Sequence, residues 1–203
     1  MCLTINSYYH KSSDNCYGKG MIKYQPLKCD KDILVYKILR VIEPYTDLAY
    51  RIKFNSGRYF MIQPSEPIYQ TPFNYATIVF NEHGVAWQSV DRFMTTVDGY
   101  SNVIGPGIHS FYSKDCAIGM AKNFESLVSS GDYKHSVISG DYKHKVFVAI
   151  IPKNTEFFIG CDGDIVSKEL RIYNHGNEDL LENQDFITFD DYLGTIFDNI
   201  KEK

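Results

Sequence analysis

Residues 105–117 read GPGIHSFYSKDCA and join a turn signal, a strand and a helix start. Gly105-Pro106-Gly107 predicts a tight turn, because glycine tolerates positive φ and proline fixes its own φ. The apolar run Ile108–Phe111 predicts a strand, and the Ser113 hydroxyl can cap the helix that follows. Functional side chains often lie where loops meet regular elements. We therefore predict that this junction borders the functional site.

Two helices are predicted from apolar spacing and from the charges at their ends. Apolar side chains at helical spacing predict a central helix near residues 113–128, with Asp115 at the positive end of its dipole. A second such pattern predicts a C-terminal helix near residues 189–201, which has Asp190 and Asp191 in its first turn. These are the only two helices that we expect.

The rest of the regular structure is predicted as about eight or nine strands. The clearest are ILVYKIL at 33–39 and KVFVAII at 145–151, two apolar runs bounded by charged residues or proline. Residues 81–84 predict the turn of a hairpin between 77–80 and 85–88. The 16 Tyr and 13 Phe also favour strands. The predicted fold class is therefore α+β, dominated by strands.

The length of 203 residues predicts one domain with short appendages. Residues 1–30 are polar and irregular and predict a loop-rich lead-in. Residues 31–173 hold the α+β core domain, and residues 174–203 hold a polar linker and the C-terminal helix.

One short repeat, SGDYKH, occurs at residues 130–135 and again at 139–144. Two copies are too few for a solenoid. The repeat is either a duplication tolerated in a surface loop or a pair of equivalent ligand contacts. In the second case the contacts are Tyr133, His135, Tyr142 and His144.

Composition limits the classes of partner. A net charge of −4 argues against nucleic acid, because binding phosphates needs a basic face. The five cysteines form no CxxC pair, and residues 162–164 (DGD) lack the further ligands of a calcium loop, so we predict no metal site. No apolar run approaches the length of a membrane helix. We expect a cytoplasmic protein with reduced thiols and no membrane partner.

His109 and Ser113 are the first candidates for contact with a ligand. A helix N-terminus attracts anions such as phosphates, and both residues lie beside the predicted start of the central helix. His109 is either a core histidine satisfied by a hydrogen bond or a contact to such an anion. We predict that both side chains face an anionic group.

Several segments, in their order along the chain, resemble segments of uncharacterised proteins of bacteria and their phages. These segments are VYKIL (35–39), GIHSF (107–111), IIPKNTEFF (150–158) and GDIVSKELRI (163–172). The resemblance covers roughly residues 30–173 and implies an architecture but no activity. It implies a protein associated with a phage or mobile element. A role in countering host defence, for instance by sequestering a nucleotide signal, is the expectation that this setting suggests.

The same segments are similar, more distantly, to ADP-ribosyltransferase domains. This resemblance implies that Glu169 binds the ribose 2′-hydroxyl of NAD and stabilises an oxocarbenium-like transition state. It places Tyr36 and Lys37 near the nicotinamide and His109 in the pocket wall. The chain departs from the pattern, with Lys37 where Arg or His is expected and Ser167 where a second Glu is expected.

Three hypotheses of different kinds remain open. The first is a small cytoplasmic binding protein for a nucleotide-type ligand or a host protein, without a cofactor. The second is an ADP-ribosyltransferase-like enzyme that uses NAD. The third is a structural or oligomeric interaction module whose Tyr-rich surface forms the interface.

Overall fold

A computed structural model of the chain describes residues 3–13, 23–44, 50–53, 59–62, 65–72, 76–93, 103–104, 107–129, 142–176, 181 and 185–201. Within these ranges it contains sixteen strands and two helices, which confirms the strand-dominated α+β class. The strands exceed the predicted eight or nine because six of those described have only two residues, too few to show an alternating pattern. The strands are β1 (Leu3–Thr4), β2 (Ser12–Ser13), β3 (Lys23–Tyr24), β4 (Asp32–Ile42), β5 (Tyr50–Lys53), β6 (Tyr59–Ile62), β7 (Ile68–Gln70), β8 (Thr77–Ile78), β9 (Val85–Ser89), β10 (Val103–Ile104), β11 (Ile108–Phe111), β12 (Tyr142–Ile151), β13 (Phe157–Ile159), β14 (Asp164–Ser167), β15 (Glu169–Tyr173) and β16 (Phe186–Ile187). The helices are α1 (Lys114–Ser129) and α2 (Phe189–Lys201).

Ten of the described strands form one sheet around β4. The main order is β13-β14-β11-β4-β12-β15-β9; β7 and β16 also pair with β4, and β8 pairs with β7. Neighbours are antiparallel except for β16, which runs parallel to β4. β12 pairs with β4 from Ile33↔Ile151 to Ile42↔Tyr142. These two strands are the apolar runs that the sequence identified as clearest.

Both faces of β4 are covered, as its nearly continuous apolar sequence requires. Every second residue from Ile33 to Val41, apart from Lys37, belongs to the main hydrophobic cluster, which also includes Phe189 and Tyr192 of α2. Ile38 faces the other way and packs in a second cluster against α1. The two helices therefore cover opposite faces of the central strand.

The helix ends follow the predicted chemistry. The Cys116 amide donates to Ser113 Oγ at 3.1 Å, so Ser113 is the N-cap of α1. At α2 the Asp191 amide donates to Thr188 Oγ1 at 3.1 Å, and the Thr188 amide donates back to Asp191 Oδ2 at 3.4 Å. This reciprocal pair is a capping box, which the sequence analysis did not identify.

The predicted hairpin between 77–80 and 85–88 is wrong. The turn exists, since the Gly84 amide donates to the Asn81 carbonyl at 2.8 Å. The flanking strands nevertheless pair elsewhere, β8 with β7 and β9 with β15. Turn chemistry shows where a chain reverses, whereas the choice of partner depends on which apolar face each strand must bury.

The described part of residues 1–30 packs against the core. Leu3 and Ile5 are buried in a cluster with Ile104 and Phe158. His10 is also buried there: its Nδ1 bonds the Gln25 carbonyl and its Nε2 accepts the Ile159 amide, both at 3.0 Å. Burial lowers the pKa of His10, and the two bonds fit a neutral imidazole.

Candidate ligand-binding cavity

The sheet is split along one edge of β4. On that edge β16 pairs at residues 32–33, β11 pairs at Tyr36, and β7 pairs at residues 40–42. Among the described strands none pairs with this edge between Tyr36 and Arg40. β11 and β7 therefore diverge and leave an opening beside Lys37.

A cavity of about 780 Å³ occupies this opening, and we call it the split cavity. Lys37, Ile78 and Ala86 line it from the side of the main cluster, whereas Phe111 and Phe124 line it from the side of α1. Since both sides contribute, the cavity extends through the split. Its volume lies in the range of about 300–1,000 Å³ that is typical of small-molecule sites.

Lys37 is the central polar residue of this cavity. Only 5% of it is exposed, and it lies directly opposite Phe147 of β12. The two-residue period of a strand places it between the core residues Val35 and Leu39. Its Nζ donates a hydrogen bond of 2.5 Å to the main-chain carbonyl of His109. A lysine thus occupies a position that the strand pattern assigns to an apolar side chain.

No opposite charge faces the ammonium of Lys37 among the described residues of the cavity wall. Among the described residues that line the cavity there is no Asp or Glu. Burial disfavours the charged form and lowers the pKa of Lys37 from 10.5 to about 7. Near neutral pH the amine is therefore present in both charged and neutral forms.

His109 lies on the neighbouring strand and lines the same cavity. β11 holds it by pairing with β14, where His109 lies opposite Val166. The side chain is half-buried, and its carbonyl oxygen accepts the bond from Lys37. The structure thus brings together two of the residues that the sequence analysis selected.

The tight packing of β11 against β14 explains why residue 107, just before β11, is a glycine. A Cβ at this position would lie 2.1 Å from Cγ1 of the fully buried Val166. Gly107 also lines the split cavity. The chain therefore needs a residue without a side chain here, so that β11 can lie against β14.

The mouth of the cavity is apolar and exposed. Val79 is 77% exposed and Trp87 is 58% exposed, and both line the cavity. The guanidinium carbon of Arg171 lies 5.6 Å from the centre of the Trp87 ring, which helps to hold the indole in place. An apolar ligand in the cavity can cover these two exposed side chains.

Gln88 adds a polar group to the same wall. Its Oε1 is buried and has no hydrogen-bond partner within the described chain. A buried polar atom is normally satisfied, so an unpaired one on a cavity wall can bind a polar group of a ligand. The sequence analysis missed Gln88, Val79 and Trp87; the only available signal was that Trp87 is the single tryptophan of the chain.

Other predicted site residues lie away from the cavity. Tyr36 packs against the cluster under α1, on the opposite face from Lys37. The Ser113 hydroxyl caps α1 and does not line the cavity with His109. Glu169 begins β15 opposite Ser89, and Ser89 lines the cavity but Glu169 does not. The structure therefore brings Lys37 and His109 together without these three residues.

The repeat residues are described only in part. Tyr133 and His135 lie outside the described residues, and Tyr142 begins β12. His144 lines a separate hollow of about 460 Å³ with Glu125 of α1, whose Oε1 accepts its amide at 3.4 Å. Burial lowers the pKa of His144 to about 4, so the side chain is neutral at pH 7.

The described residues contain neither a metal-binding cluster nor a helix that could span a membrane. They contain no group of three His, Cys, Asp or Glu side chains that could hold a metal ion. Neither of their helices combines the length and the apolar character that crossing a membrane requires.

Comparisons of the chain with protein-family models, curated proteins and solved structures found no match. Both resemblances noted in the sequence therefore remain predictions. The split cavity is the feature on which a functional proposal can rest.

Proposed function

We propose that the protein binds a small organic ligand in the split cavity, where Lys37 donates a hydrogen bond to an anionic or carbonyl group of the ligand. The observation that carries this proposal is the burial of Lys37 on a wall whose described residues include no carboxylate. Burying an ammonium without a counter-charge destabilises a fold. A perturbed lysine in a cavity is typical of functional sites.

The walls favour a ligand with an apolar or aromatic body. Trp87 and Val79 are exposed at the mouth, and Phe111 and Phe124 lie further along the walls. The indole offers a flat face for stacking, and Gln88 Oε1 can accept a hydrogen bond from the ligand. The expected ligand therefore joins an aromatic or aliphatic part to a head group that meets Lys37.

A nucleotide-type ligand is the first class to test. Its base could stack on Trp87 while a phosphate or carbonyl oxygen meets Lys37. The sequence resemblance to phage proteins supports a host nucleotide signal as the particular ligand, and sequestering it would counter host defence. The role in countering host defence is proposed from the resemblance alone. The apolar body and the head group of the ligand are proposed from the residues of the cavity.

The experiment is a thermal-shift screen against NAD, ADP-ribose and cyclic nucleotides, followed by chromatography of each ligand. We expect at least one to raise the melting temperature and to be recovered intact, because only the folded cavity binds it. Lys37→Met should abolish the ligand-induced shift, and Trp87→Ala should reduce it.

The matched control is Lys145→Met, which removes a lysine that pairs with Glu43 outside the cavity. The control should retain the full ligand-induced shift. An unchanged shift in Lys37→Met would contradict the proposed site. Release of nicotinamide from NAD would instead support the transferase hypothesis and direct attention to Glu169.

A further inference from the structure

We propose that Lys37 forms a reversible imine with an aldehyde or ketone ligand in the split cavity. This inference rests on the proposed function, because the ligand must enter the same cavity. It also narrows the class of ligand. The proposed function allows any ligand with an anionic or carbonyl group, whereas an imine requires an aldehyde or ketone on an apolar body.

The position of Lys37 suits an amine nucleophile. Its Nζ lies on the cavity wall, and its recorded partner among the described residues is the His109 carbonyl at 2.5 Å. No carboxylate from the described lining holds the amine in its protonated form. Buried lysines with apolar neighbours are the type that proteins use for Schiff bases. The pKa of about 7 leaves a substantial neutral fraction at physiological pH.

The chemistry balances without an oxidant or a reductant. The lone pair of the neutral Nζ attacks the carbonyl carbon and forms the C–N bond as the C=O π bond breaks. One proton passes from Nζ to the oxygen and gives a carbinolamine. The second proton of Nζ then passes to the hydroxyl group, the C–O bond breaks, water leaves, and the nitrogen lone pair forms the C=N bond. Hydrolysis reverses these steps and returns the free amine and the intact ligand.

The main-chain carbonyl of His109 accepts the bond from Lys37, whereas the His109 side chain shares a face of the sheet with Phe111, opposite that of Lys37. Lys37 and His109 are the two acid–base side chains among the described residues of the cavity wall. The mouth residues Val79 and Trp87 would meanwhile cover the apolar part of the ligand.

The test uses benzaldehyde as the probe and sodium cyanoborohydride to trap the imine at pH 7, with peptide mass spectrometry to locate the adduct. We expect the reduced adduct on Lys37 at about tenfold or more the level on Lys145, whose amine is ion-paired and partly exposed. The comparison is internal to the wild-type protein and does not depend on the folding of a variant. Equal labelling of the two lysines, or none on Lys37, would overturn the inference.

A second arm separates this inference from the proposed function. Benzoate and benzyl alcohol have the same ring but cannot form an imine. If either one raises the melting temperature through Lys37 while benzaldehyde gives no adduct, the cavity binds ligands and the imine is overturned. If no benzene derivative acts but the nucleotide screen succeeds, the imine is likewise overturned and the proposed function stands. An adduct that is confined to Lys37 and is lost in Lys37→Arg supports the imine.

Discussion

Lys37 on β4 and Lys168 between β14 and β15 belong to the same sheet. They differ in whether a carboxylate lies beside the amine. Lys168, between β14 and β15, places its Nζ 2.6 Å from Glu156 Oε2, and Lys28 approaches the other oxygen of Glu156 at 3.4 Å. Lys37 meets only a main-chain carbonyl among the described residues and is almost fully buried. The charge of Lys168 is thus neutralised within the protein, whereas Lys37 keeps its bonding capacity for a ligand.

The pKa directions express the same difference. The hydrogen bond from Lys168 is the main cause that lowers the pKa of Glu156, so the folded state favours the ionised pair. Burial lowers the pKa of Lys37 to about 7, so the folded state disfavours its charge. The first arrangement stabilises the fold and the second destabilises it. Such a loss of stability is common at sites that evolved for function.

The largest expected effect is that Lys37→Met stabilises the protein. The folded pKa of about 7 is below the unfolded value of 10.5, so the unfolded chain binds more protons between these two values. Wild-type stability should therefore rise with pH across this window. We expect the variant to gain on the order of 1–3 kcal/mol at pH 6, after loss of the bond to His109, with a smaller gain at pH 9. Chemical denaturation at the two pH values measures both.

Lys145→Met is the control for this measurement. Lys145 pairs with Glu43 at 2.7 Å, and both side chains are more than a third exposed. Its removal should change stability little and should not stabilise the protein. A destabilised Lys37→Met would show that Lys37 contributes to the fold as Lys168 does. A gain that does not depend on pH would show that the buried charge is not its cause.

The second effect concerns the backbone that carries the His109 carbonyl. Gly107→Ala places a methyl group against Val166, which is fully buried and β-branched and so cannot rotate away easily. We expect a loss of about 1–3 kcal/mol from overpacking, together with weaker ligand binding as β11 shifts. Gly119→Ala is the matched control, because among the described residues nothing outside its chain neighbours and its own helix backbone lies within 4 Å of the added Cβ. Equal stability of the two variants would contradict the described contact between β11 and β14.

The smallest effect is expected at the neutralised site. Glu156→Gln removes the partner of Lys168 and should lower stability by about 0.5–1 kcal/mol at pH 7. Because the folded pKa of Glu156 is lowered, its contribution is present above the ordinary value of 4.5 and is lost as pH falls below it. The difference between variant and wild type should therefore shrink as the pH falls through the lowered folded pKa of Glu156. A difference that stays constant as the pH falls would assign the effect to packing instead of charge.

Local chemistry in the sequence predicted much of the fold. The Ser113 cap and the following apolar spacing placed α1 to within a residue, because these signals act within one helix turn. The apolar runs identified β4 and β12 for a similar reason. The partner of β9 could not be predicted, because its pairing with β15 joins residues that are distant in sequence.

The sequence pointed to single residues of the candidate site but did not show that they lie close together. His109 was selected for its position before a helix, and Lys37 through the resemblance to ADP-ribosyltransferases. Their meeting depends on the pairing of Phe111 with Tyr36 and on the divergence of β7, which no local pattern encodes. Ser113 was expected to face the ligand, but its hydroxyl is used in capping α1. The only signal from Trp87 was that it is the single tryptophan of the chain, and an exposed aromatic residue on a strand is too common to indicate a site.

The most direct test of the central claim is the pKa of Lys37 itself. The ¹³Cε chemical shifts of the lysines, followed by NMR from pH 5 to 11, report the protonation of each amine, and Lys37→Met identifies the signal of Lys37. We predict that this signal titrates near pH 7, because burial disfavours the charged amine. A titration near pH 10.5 or above would show a solvated or neutralised lysine and would contradict the proposed role of the split cavity.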